Sequence, residues 1–205
     1  LSILLLIITG FMGLFYYHQT HQSTGFDPEQ LHGTYIPPGR SVNHFSLEDT
    51  QKQAFKTSDL IGHWTLLFFG FTQCHSICPT TMAELHKMND ILKAHPDLKV
   101  LPRVYMISLD PARDTPQILQ QYVQGFDRDF MGAIGTKSEI DALSQQLGIV
   151  YDTGTRQDGQ IDHSGTITVI NPAGEIAAFF IPPLQAQWMA EDMIVLMQHF
   201  ANLKY

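Results

Sequence analysis

Trp64-Thr65-Leu66-Leu67-Phe68-Phe69-Gly70-Phe71-Thr72-Gln73-Cys74-His75-Ser76-Ile77-Cys78-Pro79 decides how this chain is read. Its first half is apolar on both faces, as a central buried strand should be. Its second half holds Cys74 and Cys78, the 2 cysteines of the chain. Over Thr80 to Ala94, Met82, Leu85, Met88 and Leu92 recur at three and four residues, which predicts a helix. If Cys78 and its followers open that helix, residues four apart differ by roughly 40° of rotation, and the two cysteines can share one face. A helix N-terminus also lowers thiol pKa values. Two sulfurs so placed can pair as a disulfide or grip one soft metal ion; the alternative is a pair of small buried hydrophobes.

Outward from this stretch the chain alternates. Val42 to Leu47 and Ala54-Phe55 read as short strands about a turn. Val100 to Leu109 is a strand, and Asp114-Thr115-Pro116 starts a helix over Gln117 to Phe126, with Asp or Thr as cap and Pro in the first turn. Phe130 to Ile134 is a strand, and Lys137 to Leu147 a helix stopped by Gly148. Tyr151 to Ile161 is polar and rich in glycine. Asn171-Pro172-Ala173-Gly174 is a hairpin signal between Thr166 to Ile170 and Glu175 to Phe180, and Gln185 to Leu203 closes as a helix. The order β-α-β-α-β, then hairpin, then helix, predicts an α/β fold: a central mixed sheet flanked by helices. The cysteines fall at the carboxyl end of a central strand, where open α/β sheets place their sites.

Composition bounds the partners. With 12 Lys plus Arg against 20 Asp plus Glu the net charge is −8, and the basic residues are scattered, which argues against nucleic acid. Leu1 to Tyr17 is uncharged and apolar, near the lower limit for spanning a bilayer, and no A-x-A-like cleavage site follows it. It reads as an uncleaved membrane anchor over 1–17, followed by a polar linker over 18–40 and a folded domain over 41–205. His18 to Gly39 contains no Lys or Arg, which the positive-inside rule assigns to the non-cytoplasmic side. The domain is therefore expected in the periplasm of a bacterial inner membrane, or an equivalent oxidising compartment. His18, His21 and His32 in the linker match no compact metal site. Met82 and Met88 have the chemistry of soft copper ligands, but their helical spacing fits core packing.

Three motifs carry a resemblance. Phe69-Gly70-Phe71-Thr72-x-Cys74-x-x-x-Cys78-Pro79-Thr80, Ser108-Leu109-Asp110-Pro111-x-Arg113-Asp114-Thr115-Pro116 and Asp162-His163-Ser164-x-Thr166 occur in this order. Together they resemble the Sco/SenC copper-binding proteins of the thioredoxin-like superfamily, from about Asn43 to the C-terminus. The resemblance implies a thioredoxin-like domain on a membrane anchor. It implies Cys74, Cys78 and His163 as copper ligands, with Asp110 near the metal, and delivery of copper or electrons to the Cu(A) centre of cytochrome c oxidase. Its partners would be the oxidase subunit carrying Cu(A) and other copper chaperones or thiol reductants.

The chemistry is consistent, because two thiolates and an imidazole suit Cu(I), and such a set also holds Cu(II) or Zn(II). His163, read as lying in a loop before a strand, is free to swing over the sulfurs. Where family members often carry Pro-Asp after the first cysteine, this chain has His75-Ser76, which removes a carboxylate and adds an imidazole beside the thiols; His75 reads as solvent-facing, with competition against His163 as the alternative. The alternative from another class is a thiol-disulfide oxidoreductase or thioredoxin-like peroxidase using Cys74 and Cys78. Against it, the spacing is CxxxC, and His163-Ser164-Gly165-Thr166 lacks the proline such reductases carry before the returning strand.

Overall fold

The computed structural model describes residues 26–152 and 159–202. The anchor read over 1–17 and the first part of the linker lie outside the described residues. Among the described residues no helix is long and apolar enough to cross a membrane. The chain divides into two units, Leu1–Gln30 and Leu31–Tyr205. Of the first, the described part is residues 26–30, with the 3-10 turn Pro28–Gln30.

In chain order the second unit contains β1 (Thr34–Tyr35), β2 (Ser46–Asp49), β3 (Ala54–Lys56), β4 (Thr65–Gly70) and α1 (Ile77–Ala94). It continues with β5 (Arg103–Ser108), α2 (Pro116–Gln124), β6 (Met131–Ile134), α3 (Lys137–Leu147), β7 (Tyr151–Asp152) and β8 (Asp162–His163). It ends with β9 (Ile167–Ile170), β10 (Ile176–Phe180) and α4 (Ala186–Asn202). Eight of these strands form a sheet in the order β1-β10-β9-β4-β5-β6-β2-β3, and β7 pairs with β8 in a separate ribbon. β4, β5 and β6 run parallel; β9 pairs antiparallel with β4 and β10 with β9 on one side, and β2 pairs antiparallel with β6 and β3 with β2 on the other. The sheet is mixed, as the element order required.

β4 is central, and all six of its residues are buried. Alternate side chains serve opposite faces. Leu67 and Phe69 join a core cluster with Tyr105, Ile107 and Ile140, Leu143 and Leu147 of α3. On the other face Phe68, Met106 and Cys78 of α1 converge on Gly70, where a Cβ would lie 2.9 Å from the Cys78 Sγ. Cys78, Met82, Leu85, Met88 and Leu92 are all buried on α1, so Met82 and Met88 are core residues. Helix α4 packs against α1, and its Phe200 meets Trp64 edge-on at 5.3 Å.

The local punctuation works as its chemistry dictates. The Thr115 hydroxyl caps α2 by accepting from the Ile118 N–H, with Pro116 in the first turn. Thr136 and Glu139 form a reciprocal capping box on α3, and Gly148 ends that helix at φ 70°. In the hairpin, Asn171 Oδ1 accepts from the N–H groups of Ala173 and Glu175.

Several stretches differ from their sequence reading, and two of them lie beside the edges of the sheet. Val42 and Phe45 are buried, but the ladder of that region is Ser46–Asp49, because its neighbours β3 and β6 reach only those residues. Within the polar stretch 18–40, Thr34 and Tyr35 form the edge strand β1 on β10. No apolar periodicity marks it, since two edge residues need little burial. Asp192 of α4, 2 % exposed, holds this stretch by accepting from the backbone N–H groups of His32 (3.0 Å) and Gly33 (2.7 Å).

Candidate metal centre

The carboxyl end of β4 runs directly into the site. Phe71 is buried, the Cys74 N–H donates to the Phe71 carbonyl in a tight turn, and α1 begins at Ile77. Cys78 therefore lies in the first helical turn, whereas Cys74 precedes the helix. The Cys78 N–H donates to Cys74 Sγ at 3.4 Å, so the first sulfur serves as an acceptor for the exposed donors of the helix start. Ser76, at the cap position, makes no side-chain cap bond.

Asp114 braces this turn from the next βα connection. Its buried carboxylate accepts from the Thr72 hydroxyl at 2.6 Å, the Thr72 N–H and the Ser108 hydroxyl at 2.6 Å. The sequence offered Asp114 only as a helix cap, a task that falls to Thr115. No local pattern reveals a carboxylate that reaches back 42 residues to another loop.

His163 comes from β8. Rather than lying in a loop, it stands in register with Tyr151 of β7. Tyr151 donates to Asp141 of α3, whose carboxylate also accepts from Lys137 at 2.8 Å, so the ribbon is tied to that helix. The polar composition of the region conceals a ladder only two residues long. His163 Nε2 lies 3.3 Å from Cys78 Sγ, and its ring packs near Phe68 and Phe71 at 5.8 and 6.2 Å. Its Nδ1 is buried without a hydrogen-bond partner among the described residues.

Cys74, Cys78 and His163 thus place two sulfurs and one imidazole nitrogen within 4.8 Å of one another, the one such cluster of metal-ligating side chains among the described residues. Both cysteines are free thiols and buried. Their ionisation is asymmetric. Burial, the largest influence on Cys74, acts to raise its pKa, but hydrogen bonds from the Cys78 side chain and from Ser76 and Cys78 outweigh it and leave it lowered. Burial first, and then the interaction with Cys74, pushes the Cys78 thiol far up. Burial also lowers His163, against a smaller opposing effect of Asp162, which favours the neutral imidazole that a metal needs.

Asp110 is buried but is not part of the three-atom cluster; its carboxylate takes the Nε donor of Arg113. His75 is exposed and also outside the cluster, with Nδ1 3.3 Å from the Gln160 amide. His32 stacks on Trp188 at 4.9 Å, while His18 and His21 lie outside the described residues. Nothing in the sequence singles out Tyr122 of α2. Its hydroxyl is buried without a hydrogen-bond partner among the described residues. Burial and then the charges of Cys78, Cys74 and Asp114 raise its pKa.

A sequence model of the SCO1/SenC family matches residues 34–198, a span that contains all three convergent side chains. The chain belongs to the SCO1/SenC family. Among its relatives is a protein of Stutzerimonas stutzeri named for copper binding. The two are 33% identical over 159 residues, covering 77% of this chain and 77% of the relative. The mitochondrial SCO2 homologue of Mus musculus is 32% identical over 152 residues, or 73% of this chain and 59% of that protein. Among solved structures, Arabidopsis thaliana ScoI with copper bound superposes with a TM-score of 0.70 at 27% identity, covering 76% of this chain and 98% of that one. The SCO1/SenC assignment accounts for the thioredoxin-like course of the sheet.

Proposed function

We propose that this chain binds one copper ion through Cys74, Cys78 and His163, and delivers it to, or prepares, the Cu(A) site of cytochrome c oxidase. The observation that carries this reading is the convergence of two thiols and one imidazole nitrogen within 4.8 Å on a SCO1/SenC scaffold. Soft thiolates select Cu(I), and the imidazole adds the nitrogen that Cu(II) prefers. Copper is cargo here: the two sulfurs hold it, and His163 completes or releases the third position. Asp110 acts one step out, through Arg113. The apolar run 1–17 anchors the protein in the bacterial inner membrane, and the domain faces the periplasm. Its partners are the oxidase subunit carrying Cu(A), and a copper donor or thiol reductant.

A second reading draws on the unequal thiols. A lowered Cys74 beside a raised Cys78 is the arrangement of a nucleophilic and a resolving cysteine, as in a thiol-disulfide oxidoreductase that reduces the Cu(A) cysteines. His163→Ala separates the two, because dithiol exchange has no obligatory need for the imidazole. The copper reading expects this variant to keep both thiols, lose Cu(II) and fail to support an active oxidase. Full oxidase maturation by His163→Ala, with none by Cys74→Ser, would instead establish the reductant. A C-terminal reporter active only in the cytoplasm would refute the topology.

A further inference from the structure

Arg113 touches both segments that carry the site and the loop after β5. Its Nε donates to Asp110, in the loop that follows β5. Nη1 donates to Gln73 Oε1 at 3.3 Å, next to Cys74 in the cysteine turn. Nη2 donates to the Gly159 carbonyl at 2.6 Å, on the strand of chain that leads into β8 and His163. The guanidinium carbon lies 6.0 Å from the centre of the Phe71 ring, and that ring in turn meets His163 edge-on.

The approach to Gly159 is close. A Cβ there would fall 2.7 Å from Nη1, at a backbone φ of 69°, so this position suits glycine on both counts. Gln160 adds a parallel tie, donating to the Gln73 carbonyl at 3.1 Å. The guanidinium reaches the three acceptors from three separate nitrogens held in a fixed plane, whereas a lysine ammonium has its three donors on a single flexible nitrogen.

We propose that Arg113 is a positioning residue: a latch that holds the ribbon bearing His163 over the cysteine turn. The copper part of this inference rests on the metal-binding reading above. With the latch closed, the imidazole is held beside Cys78 and the site offers three donors. With it open, the two sulfurs remain and form the linear pair that suffices for Cu(I). The latch therefore sets the balance between the three-donor site that Cu(II) requires and a two-sulfur site from which Cu(I) passes to a recipient. Asp110 belongs to this device, since it fixes the guanidinium from which the other two bonds radiate.

The test compares the full chain with Arg113→Gln and Arg113→Lys. Amide hydrogen exchange is followed on the copper-free protein, and Cu(I) stoichiometry, thiol count and the nitrogen hyperfine signal of bound Cu(II) on the loaded protein. Arg113→Gln is expected to speed exchange across residues 159–164 about tenfold, as loss of charge-assisted hydrogen bonds would, with β4 and β5 unchanged. It should retain one Cu(I) and two thiols, while Cu(II) binds at least ~10-fold more weakly with its nitrogen signal reduced. Arg113→Lys should recover at most part of this. Unchanged exchange at 159–164, or unchanged Cu(II) binding, would overturn the latch. Failure of the unaltered chain to bind copper would remove the copper reading, and the exchange of the copper-free chain would still decide the latch. If Arg113→Gln exchanges fast everywhere, Arg113→Lys decides. Fast exchange throughout that variant too, or a normal ribbon in it, counts against a local latch.

Discussion

Cys78 Sγ and His163 Nε2 stand 3.3 Å apart although 85 residues separate them in the chain. The cysteine is fixed by the first turn of α1 against β4, and the histidine by a two-residue ribbon tied to α3. The contact joins the start of α1 to the β7–β8 ribbon, two parts of the fold that Arg113 and Gln160 also bridge. Removing either side chain therefore tests the site without removing the element that carries it.

Substituting Cys74 or Cys78 by Ser should end stoichiometric Cu(I) binding. Loss of a direct ligand should exceed the ~10–100-fold typical of outer-shell changes. The check is copper per chain after anaerobic loading and desalting, compared with far-ultraviolet circular dichroism to show that the fold persists. Full copper retention by the double variant would place the metal elsewhere.

Copper uptake should depend on pH with a definite sign. Cys78 has a raised pKa, so at neutral pH it enters the reaction as a thiol and must release its proton to bind a metal. Apparent Cu(I) affinity should then fall about tenfold for each unit of acidification attributable to that proton. Cys74, whose pKa is lowered, should be the first of the two to react with iodoacetamide as pH is raised. Equal alkylation rates in peptide mapping would contradict the asymmetry.

Gly70→Ala should strain the junction of β4 with the site. The new Cβ would lie 2.9 Å from Cys78 Sγ, 2.9 Å from Phe68 and 3.0 Å from Met106, all within the buried interior. Overpacking of this kind costs about 1–3 kcal/mol, measurable as a lower denaturant midpoint. Copper-free protein is the right sample, because bound metal would add its own stabilisation.

Asp192 should show opposite responses to two substitutions. Burial raises its pKa in spite of the bonds from His32 and Gly33, so the folded chain holds this proton more tightly than the unfolded chain. Its contribution is then greatest below the ordinary carboxylate range and declines as pH rises through the raised value. Asp192→Asn keeps an acceptor without the charge and should flatten that decline. Asp192→Ala leaves two N–H groups without their acceptor and should cost about 1–3 kcal/mol. Urea titrations of both variants from pH 4 to 7 give the comparison.

Much of the fold was legible because its causes are local. The apolar run of β4, the three-and-four spacing of Met82, Leu85, Met88 and Leu92, the Thr115-Pro116 start, the Gly148 stop and the Asn171 turn each act within a few residues. The cysteine pair after the central strand was visible for the same reason. His163 was named through a motif, since nothing in its own neighbourhood identifies it as a site residue.

The sequence alone therefore determined the α/β alternation, the central strand and the cysteine pair that follows it, because periodicity, capping and turn chemistry are written in adjacent side chains. Tertiary structure decided which distant groups complete the site. It brought His163 to Cys78, gave Asp114 to the cysteine turn rather than to a helix cap, and set Arg113 between Asp110, Gln73 and Gly159. It also made the two cysteines unequal, since their different burial and hydrogen bonding exist only once α1, β4 and the His163 ribbon have packed together.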